Sequence, residues 1–561
     1  MKILYHAVIA GLFFTSVGFS GVALAQTGNA DYDIVRKAID QRDITSPLLA
    51  PAVTAGDYDA LRLWGLNGAE ACAMIRAYLA QDNPAIKIAA IKGLANCRDT
   101  SAFSQISALA TSGENSAVRE AALKALAFTT PETSRNHHVG LVSLVLSGPV
   151  ASNEKAAAIY GLMQSITYSG LSPADLPSLD FGIMLSEYAA YPDFTGLQAA
   201  YLLSRIAGLN SVYTAQEVMA AITGGAAPAQ QYILAARVLP QFGDVASAFL
   251  IELASSDDPL LATSALRGFG LLSDAPSMAF LNKTLNHANP AFRSLAVTAL
   301  AARDQDDAAI TAQVVALTKD ENPWVSVTAL RGLMQRAPAQ AVPAAKAWIA
   351  GDNYYRAFVA LGILAQSDEG KAFLQAYADA NPETIRGREA AIALDPSIEA
   401  IRQPRKTPSA SLVQSYMGRQ LVMQTTRGLV CIAPLPDAPF AAANFMLLAD
   451  AGKMDGMLWH RVIPNFVTQA GQSEDFSLST WGTIREEWGA PSHEVGTVGV
   501  ATAGSDTGSA QFFINTAHNL HLDGRYTVFG KVTEGMPVVY ALQEGDVIEK
   551  AETLSAGSIC N

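Results

Sequence analysis

The residue types best suited to chemistry lie near the end of the sequence, in two short stretches. Residues 459–469 have the sequence WHRVIPNFVTQ, and residues 511–515 have the sequence QFFIN. Together they place one permanent cation, Arg461, beside glutamine and several aromatic rings. They supply no activated nucleophile, no good general base and no metal cluster, so they are poorly equipped to break covalent bonds. They are well equipped to bind a peptide.

Short strands must position these residues. Residues 421–426 and 428–432 have the composition of strands, and a helix is predicted over residues 441–451. Short strands then alternate with glycine-rich loops to the end of the chain. This order of elements is typical of a closed antiparallel β-barrel with flanking helices.

Several motifs give this region a family. From about residue 418 to 558 the sequence resembles the cyclophilin-type peptidyl-prolyl cis-trans isomerases, over about a quarter of the chain. The matching motifs, in the family's order, are residues 443–445 (ANF), 455–456 (DG), 460–466 (HRVIPNF), Gln469, 501–504 (ATAG), 511–514 (QFFI) and 522–530 (LDGRYTVFG). The resemblance implies a cyclophilin-like barrel that accelerates rotation about X-Pro bonds.

The chemistry of that reaction explains why a single cation is enough. Rotation about an X-Pro bond faces a barrier of roughly 20 kcal/mol, which arises from the partial double-bond character of C–N. A guanidinium that donates to the prolyl nitrogen withdraws its lone pair from conjugation and so favours the twisted state. The resemblance assigns that role to Arg461. No bond breaks, so neither a cofactor nor a metal is expected.

By the same resemblance, an apolar pocket holds the proline ring. Its members are Phe466, Val467, Phe513 and Leu522. Gln469 is expected to bond the rotating carbonyl side, and backbone groups around Thr502 and Ala503 are expected to hold the residue before the proline. Gln511 is expected to bond the substrate backbone or to order Arg461.

Three substrate-binding positions depart from the family pattern. Val467 stands where the family often has Met, His521 where many eukaryotic members have Trp, and Tyr526 where many have His. Tyr526 can still pack its ring and offer a hydroxyl group. A shallower pocket is expected at Val467.

The region from about residue 30 to 395 repeats itself. Asn or Asp precedes proline, or its equivalent, at positions 84, 116, 259, 290 and 323, so neighbouring intervals are 32, 31 and 33 residues. Asn or Asp caps a helix, and proline suits its first turn. The period predicts an all-α solenoid that resembles HEAT repeats, with an ordinary helical bundle as the alternative. Such arrays usually bind partners, so an unidentified protein partner or client is expected there.

Targeting and boundaries complete the organisation. Lys2, an apolar run over residues 3–22 and Ala23-Leu24-Ala25 predict a cleaved signal peptide over residues 1–25, with an uncleaved anchor as the alternative. The chain is therefore expected to be periplasmic or secreted, without a membrane span after cleavage.

The polar, proline-bearing residues 396–411 are the predicted linker, between the solenoid of residues 30–395 and the cyclophilin-like domain of residues 412–561.

Charge and histidine placement exclude some functions. The formal charge of −13 argues against a nucleic-acid partner, because binding a polyanion needs a basic surface. His137 and His138 are adjacent, so on a helix they point about 100° apart and are poorly placed as joint metal ligands. We expect both at the solvated surface.

Four cysteines fit an oxidising compartment. Pairing within each region is favoured, as Cys72 with Cys97 and Cys431 with Cys560, because these pairs close local loops. Buried free thiols remain an alternative.

Two functions are compatible with the sequence. The first is an exported prolyl isomerase that assists protein folding. The second is a non-catalytic scaffold whose cyclophilin-like domain only binds proline-containing peptides.

Overall fold

The computed structural model describes most of the two predicted regions. The described residues are 69–112, 115–303, 307–395, 406–472, 482–487 and 491–555, with Ala38, Asp40, Gln41, Leu61 and Gly65. The predicted signal peptide, residues 396–405 of the predicted linker and Cys560 lie outside them.

The region from Ala69 to Leu394 is helical. Its α-helices are α1 (Ala69–Ile75), α2 (Pro84–Asn96), α3 (Phe103–Thr111), α4 (Ser116–Thr129), α5 (Arg135–Ser147), α6 (Ser152–Ile166), α7 (Phe181–Ile183), α8 (Phe194–Ser204), α9 (Ala215–Thr223), α10 (Pro228–Ile233), α11 (Ser247–Ala254), α12 (Pro259–Leu266), α13 (Ala275–Thr284), α14 (Pro290–Ala301), α15 (Ala308–Leu317), α16 (Pro323–Arg336), α17 (Pro338–Ile349), α18 (Tyr354–Leu364), α19 (Asp368–Ala380) and α20 (Ile385–Leu394). Short 3-10 and π segments extend or join several of them, including the π segments Met184–Ala189 and Leu234–Val238.

The predicted capping chemistry begins the repeat helices. The side chains of Asn83, Asn289 and Asn322 accept hydrogen bonds from amides of the following turn, and proline occupies the first turn in each case. These helices stack on their neighbours in the array: α2 packs on α4, α4 on α6 and α14 on α16. The predicted HEAT-like solenoid is therefore confirmed.

One solenoid stretch is long and apolar enough to cross a membrane, by length and composition only. It runs over Pro228–Ala254, and 44% of its most apolar window is buried inside the structure. The stretch carries Arg237 and bends at Gly243, whose φ is +60°. Its ends, α10 and α11, both pack on α12. Its apolar residues therefore contribute to the stacking of the repeats.

A disulfide joins the first described repeats. Cys72 in α1 pairs with Cys97 directly after α2, with the two Cα atoms 6.2 Å apart, which confirms the pairing predicted for this region. Cys431 is buried in the barrel. Its predicted partner, Cys560, is outside the described residues, so that pairing stays a prediction.

The C-terminal region is one curled antiparallel sheet. Its strands are β1 (Arg419–Thr425), β2 (Gly428–Pro434), β3 (Leu458–Ile463), β4 (Val467–Gln472), β5 (Thr497–Val500), β6 (Phe512–Asn515), β7 (Val528–Glu534) and β8 (Ile548–Ser555). Their spatial order is β3-β4-β6-β5-β7-β2-β1-β8. A bridge between Leu458 and Val547, and a 2.8 Å bond from the Trp459 amide to the Asp546 carbonyl, bring the two edges together. The predicted cyclophilin-like barrel is therefore confirmed.

Helices α21 (Ala410–Met417), α22 (Pro439–Asp450) and α23 (Met536–Ala541) flank the sheet. On α22, Phe445 stacks on Phe529 at 4.3 Å and meets Phe512 edge-on at 5.5 Å. Trp459 meets Phe512 from the other side at 5.6 Å. These buried rings fix two strands of the predicted site: β3, which carries Arg461, and β6, which carries Phe513.

The solenoid and the barrel share apolar contacts. Trp324, at the start of α16, packs into the barrel's hydrophobic cluster. Leu458 and Leu520 of the barrel pack into the solenoid's cluster. Apolar burial of this kind is the main favourable term in association. The two regions are consequently held face to face.

The expectation of surface exposure is wrong for one of the paired histidines. His138 is 0% exposed, whereas its neighbour His137 lies at the surface against Phe103. The Nδ1 atom of His138 is 3.2 Å from the Thr130 hydroxyl. Burial, with a smaller contribution from His137, lowers the pKa of His138 to about 4. The helical pattern could not show which of the two histidines faces the next repeat.

We expect His138 to make the protein less stable in acid. Its folded pKa of about 4 lies below the ordinary value of 6.5, so between these values the unfolded chain binds more protons. The free energy of unfolding should fall by up to about 1.4 kcal/mol for each pH unit in this window. In urea titrations across it, His138→Gln should flatten the pH dependence. Asn136→Gln on the same helix is the control, and an unchanged slope in His138→Gln would contradict the assignment.

Candidate active site

A row of hydrogen-bonded side chains crosses three strands of the barrel. Arg461 on β3 lies opposite Gln469 on β4. The Arg461 Nη1 atom donates to Gln469 Oε1 at 3.2 Å, and Gln469 Nε2 donates to Gln511 Oε1 at 3.1 Å. The structure thus brings together three of the polar residues predicted for the site, and Gln469 links Gln511 to Arg461.

The Arg461 side chain is partly exposed, and its guanidinium lies over an aromatic ring. Its Cζ atom lies 5.6 Å from the centre of the Phe466 ring. Partial burial lowers its pKa, while the nearby Glu544 and Tyr526 act in the opposite direction, and arginine remains protonated in proteins. Among the described residues, Gln469 is its hydrogen-bond acceptor. Further N–H groups therefore remain for a ligand.

An apolar pocket lies beside this row. Val467, Phe513 and Leu522 form a separate cluster and are 2%, 5% and 6% exposed. The partly buried residues packed around them are Phe466, Ala501 and Tyr526. The structure therefore assembles the four predicted pocket residues in one place, with Tyr526 meeting Phe513 edge-on at 5.8 Å. Apolar side chains of this kind are suited to contact with a proline ring.

A buried polar network behind the pocket was not anticipated. His493 stacks against Phe513 at 5.6 Å. The Asn515 side chain donates to His493 Nδ1 at 3.2 Å and to the Thr497 carbonyl at 3.1 Å. Asn519 donates to Asn515 Oδ1 at 2.8 Å and to the Phe466 carbonyl at 2.6 Å. Asn515 is the last residue of the motif 511–515, so the motif itself could have indicated a role for this side chain.

The loop after β5 forms the other wall. The Ala501 amide donates to the Gln511 carbonyl at 3.0 Å, which ties this loop to the polar row. The Ala503 amide donates to Thr507 Oγ1 at 2.9 Å, so it is already occupied. Within the described part of the chain, the Thr502 backbone makes no hydrogen bond, so it is the better placed of the two predicted backbone sites for a bound peptide.

His521 lies on the Phe466 side of the pocket. Its ring stacks on Phe466 at 5.6 Å with an interplanar angle of 19°, and it lies 6.1 Å from Tyr201 of the solenoid. Burial, followed by the charges of Arg205 and Arg237, lowers its pKa to about 2. The imidazole ring of His521 is therefore neutral.

The solenoid also holds the turn between β3 and β4. Asn465 has a φ of +55°, a left-handed conformation that asparagine tolerates. Its Nδ2 atom donates to the Leu260 carbonyl at 2.6 Å and to Ser264 Oγ at 2.6 Å. Arg267 donates to the Pro464 carbonyl at 3.2 Å. The turn that carries Phe466 is thus fixed from outside the barrel.

A second contact fixes the loop that carries Leu522. Gln164 on α6 donates to the Leu520 carbonyl, and the Tyr160 hydroxyl donates to Asp523 at 3.1 Å. Asp523 also accepts from the His493 amide at 2.8 Å. Burial nevertheless raises the pKa of Asp523 to about 7, because desolvation outweighs these hydrogen bonds.

A third contact fixes β3. Glu544 accepts from the Val462 amide at 3.0 Å and pairs with Arg331 of α16 at 3.0 Å. It also accepts from the Tyr355 hydroxyl. Val462 directly follows Arg461, so the position of the cation depends on a solenoid contact. Local sequence patterns could not predict these contacts, because Arg331 and Glu544 are 213 residues apart.

A cleft of about 790 Å³ lies in the solenoid next to this contact. It is lined mainly by apolar side chains, among them Met334, Phe358 and Ile392, and Arg331 lies at its edge. Phe358 meets His460 of β3 edge-on at 6.2 Å. One lining residue of the cleft therefore contacts the strand that carries Arg461.

One glycine is required for the pocket to keep its shape. Gly499 lies opposite Phe513, and a Cβ atom there would be 2.3 Å from the Phe513 Cζ atom. Gly499→Ala should displace this ring, destabilise the protein by about 1–3 kcal/mol and lower kcat/KM at least severalfold. Peptide isomerisation assays and thermal unfolding test this. Gly418→Ala, where nothing lies within 4 Å of the new atom, should change neither, and an active Gly499→Ala enzyme would contradict the pocket.

The fold and the site define a class of protein, and comparison with known proteins agrees. The family model described as cyclophilin type peptidyl-prolyl cis-trans isomerase/CLD matches residues 421–561. The model described as HEAT repeats matches residues 67–141 and 277–359. The chain belongs to the cyclophilin-type peptidyl-prolyl cis-trans isomerase family, with HEAT repeats preceding the isomerase domain.

Individual relatives are similar to the barrel region. Peptidyl-prolyl cis-trans isomerase B of Bacillus subtilis is 45% identical over 116 residues, which are 20% of this chain and 81% of that protein. A peptidyl-prolyl cis-trans isomerase of Helicobacter pylori is 42% identical over 120 residues, 20% of this chain and 72% of the relative. A solved cyclophilin type isomerase of Cryptosporidium parvum, in the presence of the dipeptide Ala-Pro, has a TM-score of 0.23 and 21% identity and covers 24% of this chain and 99% of its own.

Proposed function

We propose that this chain is an exported prolyl isomerase that assists the folding of protein clients, with its solenoid binding the client beside the site. The observation that carries the proposal is the row Arg461–Gln469–Gln511 along the pocket of Val467 and Phe513. The row supplies fixed donors, and the pocket supplies an apolar grip. Rotation about one C–N bond breaks no covalent bond, so these two features are sufficient for catalysis.

Arg461 is the catalytic residue in this proposal. A free N–H of its guanidinium donates to the prolyl nitrogen as the peptide twists, an interaction that neither planar isomer can make equally well. Gln469 orients Arg461 and bonds the rotating carbonyl side. The Thr502 backbone holds the residue before the proline.

The required energy is within reach of these groups. Lowering the barrier by about 7 kcal/mol gives roughly a 10⁵-fold acceleration. One charge-assisted hydrogen bond in the transition state contributes about 3–4 kcal/mol of that sum. Burial of the proline ring, worth on the order of 2 kcal/mol, holds one end while the other rotates and raises kcat/KM by binding substrate and transition state alike.

A direct assay tests catalysis against the scaffold alternative. Isomerisation of a short proline-containing peptide is followed with the full mature chain and with Arg461→Ala. Catalysis by the wild type and its loss in the variant support the enzyme. Binding of the peptide without acceleration by either protein would favour the non-catalytic scaffold.

The cleft beside β3 supports the client-binding part of the proposal. An unfolded client carries apolar side chains near its prolines, and the cleft offers an apolar surface, one residue of which contacts the strand of Arg461. Ile392→Asp should slow the refolding of a proline-limited protein client severalfold while sparing a short peptide. Leu144→Asp, at a side chain that is 63% exposed, is the matched control. Equal effects of both variants on the protein client would contradict a role for the cleft.

Export has an independent test. Lys2, the apolar run over residues 3–22 and Ala23-Leu24-Ala25 support it. The protein purified from the producing cells should begin at Gln26 and be released with the envelope or secreted fraction. An intact Met1 on protein in the cytoplasmic fraction would overturn this part of the proposal.

A further inference from the structure

Several arginines lie near one another where the solenoid faces the barrel, and the charges of Arg237 and Arg525 both act on Arg205. Arg205 follows α8, Arg237 lies in the π segment Leu234–Val238, and Arg267 follows α12. Arg525 comes from the barrel, three residues after Leu522. In a chain with a formal charge of −13, this concentration of positive charge is unexpected.

Aromatic contacts place this arginine cluster next to the pocket. The Arg205 Cζ atom lies 5.9 Å from the Tyr201 ring, and Tyr201 lies 6.1 Å from His521. His521 in turn stacks on Phe466, a pocket residue. The Arg525 Cζ atom lies 4.6 Å from the Tyr168 ring. Two rings, those of Tyr201 and His521, therefore connect Arg205 to the pocket residue Phe466.

The cluster lacks compensating charge. Among the described residues, no Asp or Glu forms an ion pair with Arg205, Arg237 or Arg525. Asp523 is the nearby carboxyl group, and it is already bound to Ser492, to the His493 amide and to Tyr160. Like charges held together in a partly buried site repel each other strongly.

Hydrogen-bond donors in the cluster are also unused. The Nε and Nη2 atoms of Arg205 and the Nε atom of Arg525 are buried and have no partner among the described residues. A buried donor without an acceptor is unfavourable, and a carboxylate satisfies two guanidinium donors at once. A cavity of about 280 Å³, lined by Arg205 with Ser204 and Gln241, leaves room for such a group.

The path of a bound peptide connects this cavity to the reaction. The Thr502 backbone is assigned to the residue before the proline, whereas His521 stacks on Phe466 and lies against Tyr201 of the solenoid. We assign the residues after the proline to the His521 side of the pocket, towards Arg205 and Arg237.

We propose that Arg205, Arg237 and Arg525 form a subsite for a carboxylate side chain of the client, in the residues that follow the proline. The proposal rests on the isomerase function and adds a substrate preference to it. It makes the solenoid part of the substrate-binding site, since two of the three arginines belong to the repeats. The preferred substrates are proline segments followed by Asp or Glu.

Matched peptides test the subsite by affinity, independently of catalysis. Peptides of one length with a single proline carry Glu or Gln at each position in turn, and Kd is measured by fluorescence anisotropy with the full mature chain. Glu should bind about tenfold more tightly than Gln at one or more positions after the proline. Positions before the proline should show no such preference. The preference should shrink as salt is raised from about 0.05 to 0.5 M.

Arginine variants complete the test. Arg205→Gln and Arg237→Gln should each bring the Glu-to-Gln ratio of Kd towards one, and Arg388→Gln, at an exposed arginine far along the solenoid, should keep it. Two variants are used because one could fail to fold, which thermal unfolding reveals. Equal affinity for Glu and Gln in the wild type, or a preference that survives in both variants, would overturn the subsite. Turnover of the same peptides reports separately on the isomerase function.

Discussion

Replacing Arg461 by alanine in the full mature chain should lower kcat/KM for a proline-containing peptide by about 10²–10³-fold, the usual effect of removing one transition-state donor. The side chain is exposed and bonds to Gln469, so stability should change little. The loss should lie mainly in kcat, because the interaction forms as the peptide twists. Coupled isomerisation assays over a range of substrate concentrations measure both constants.

Two further variants make the Arg461 result specific. Arg461→Lys keeps the charge but loses the planar set of donors, so it should recover only part of the activity. Arg388→Ala, at an exposed solenoid arginine, should behave as the wild type. Wild-type kcat/KM in Arg461→Ala would remove Arg461 from the mechanism.

Replacing Glu544 by alanine should have the largest effect on stability. This carboxylate is 5% exposed and binds the Val462 amide, Arg331 and Tyr355. The Arg331 side chain is 44% exposed and keeps its hydration, but the Val462 amide and the Tyr355 hydroxyl lose their buried acceptor, at a cost of about 1–3 kcal/mol for each group left without a partner. Kcat/KM should fall as well, because β3 loses its anchor next to Arg461. Denaturant unfolding and peptide assays on the same preparations measure the two effects.

The exposed residue Glu549 supplies the control for Glu544. Glu549→Ala on β8 should shift the unfolding midpoint very little. A double-mutant cycle with Arg331→Ala should show strong coupling for Glu544. Independent, additive effects of Glu544→Ala and Arg331→Ala would show that the contact does not join the two regions.

Local patterns were sufficient to predict both folds. The caps at Asn83, Asn289 and Asn322 act within one turn of helix, so their effect is visible in the sequence. Arg461 and Gln469 face each other because a short turn joins neighbouring strands, and such pairing follows from spacing. The assigned roles of these residues stay predictions.

Contacts between distant parts of the chain could not be predicted. Asn465 bonds to Leu260, 205 residues earlier, and nothing in either local sequence indicates the other. The burial of His138 has the same origin, since it depends on which face of α5 the neighbouring repeat covers. A single sequence carries the periodicity of each region but not the way in which two finished surfaces fit together.

The shared apolar contacts at Trp324, Leu458 and Leu520 also bear on the order of biosynthesis. Chains fold domain by domain as they are made, the N-terminal part first. The solenoid can therefore fold first, in whichever compartment the chain folds, and Trp324 then stays uncovered until the barrel packs on it. The enzyme thus passes through an interval in which its repeats are folded but the loops of its active site are not.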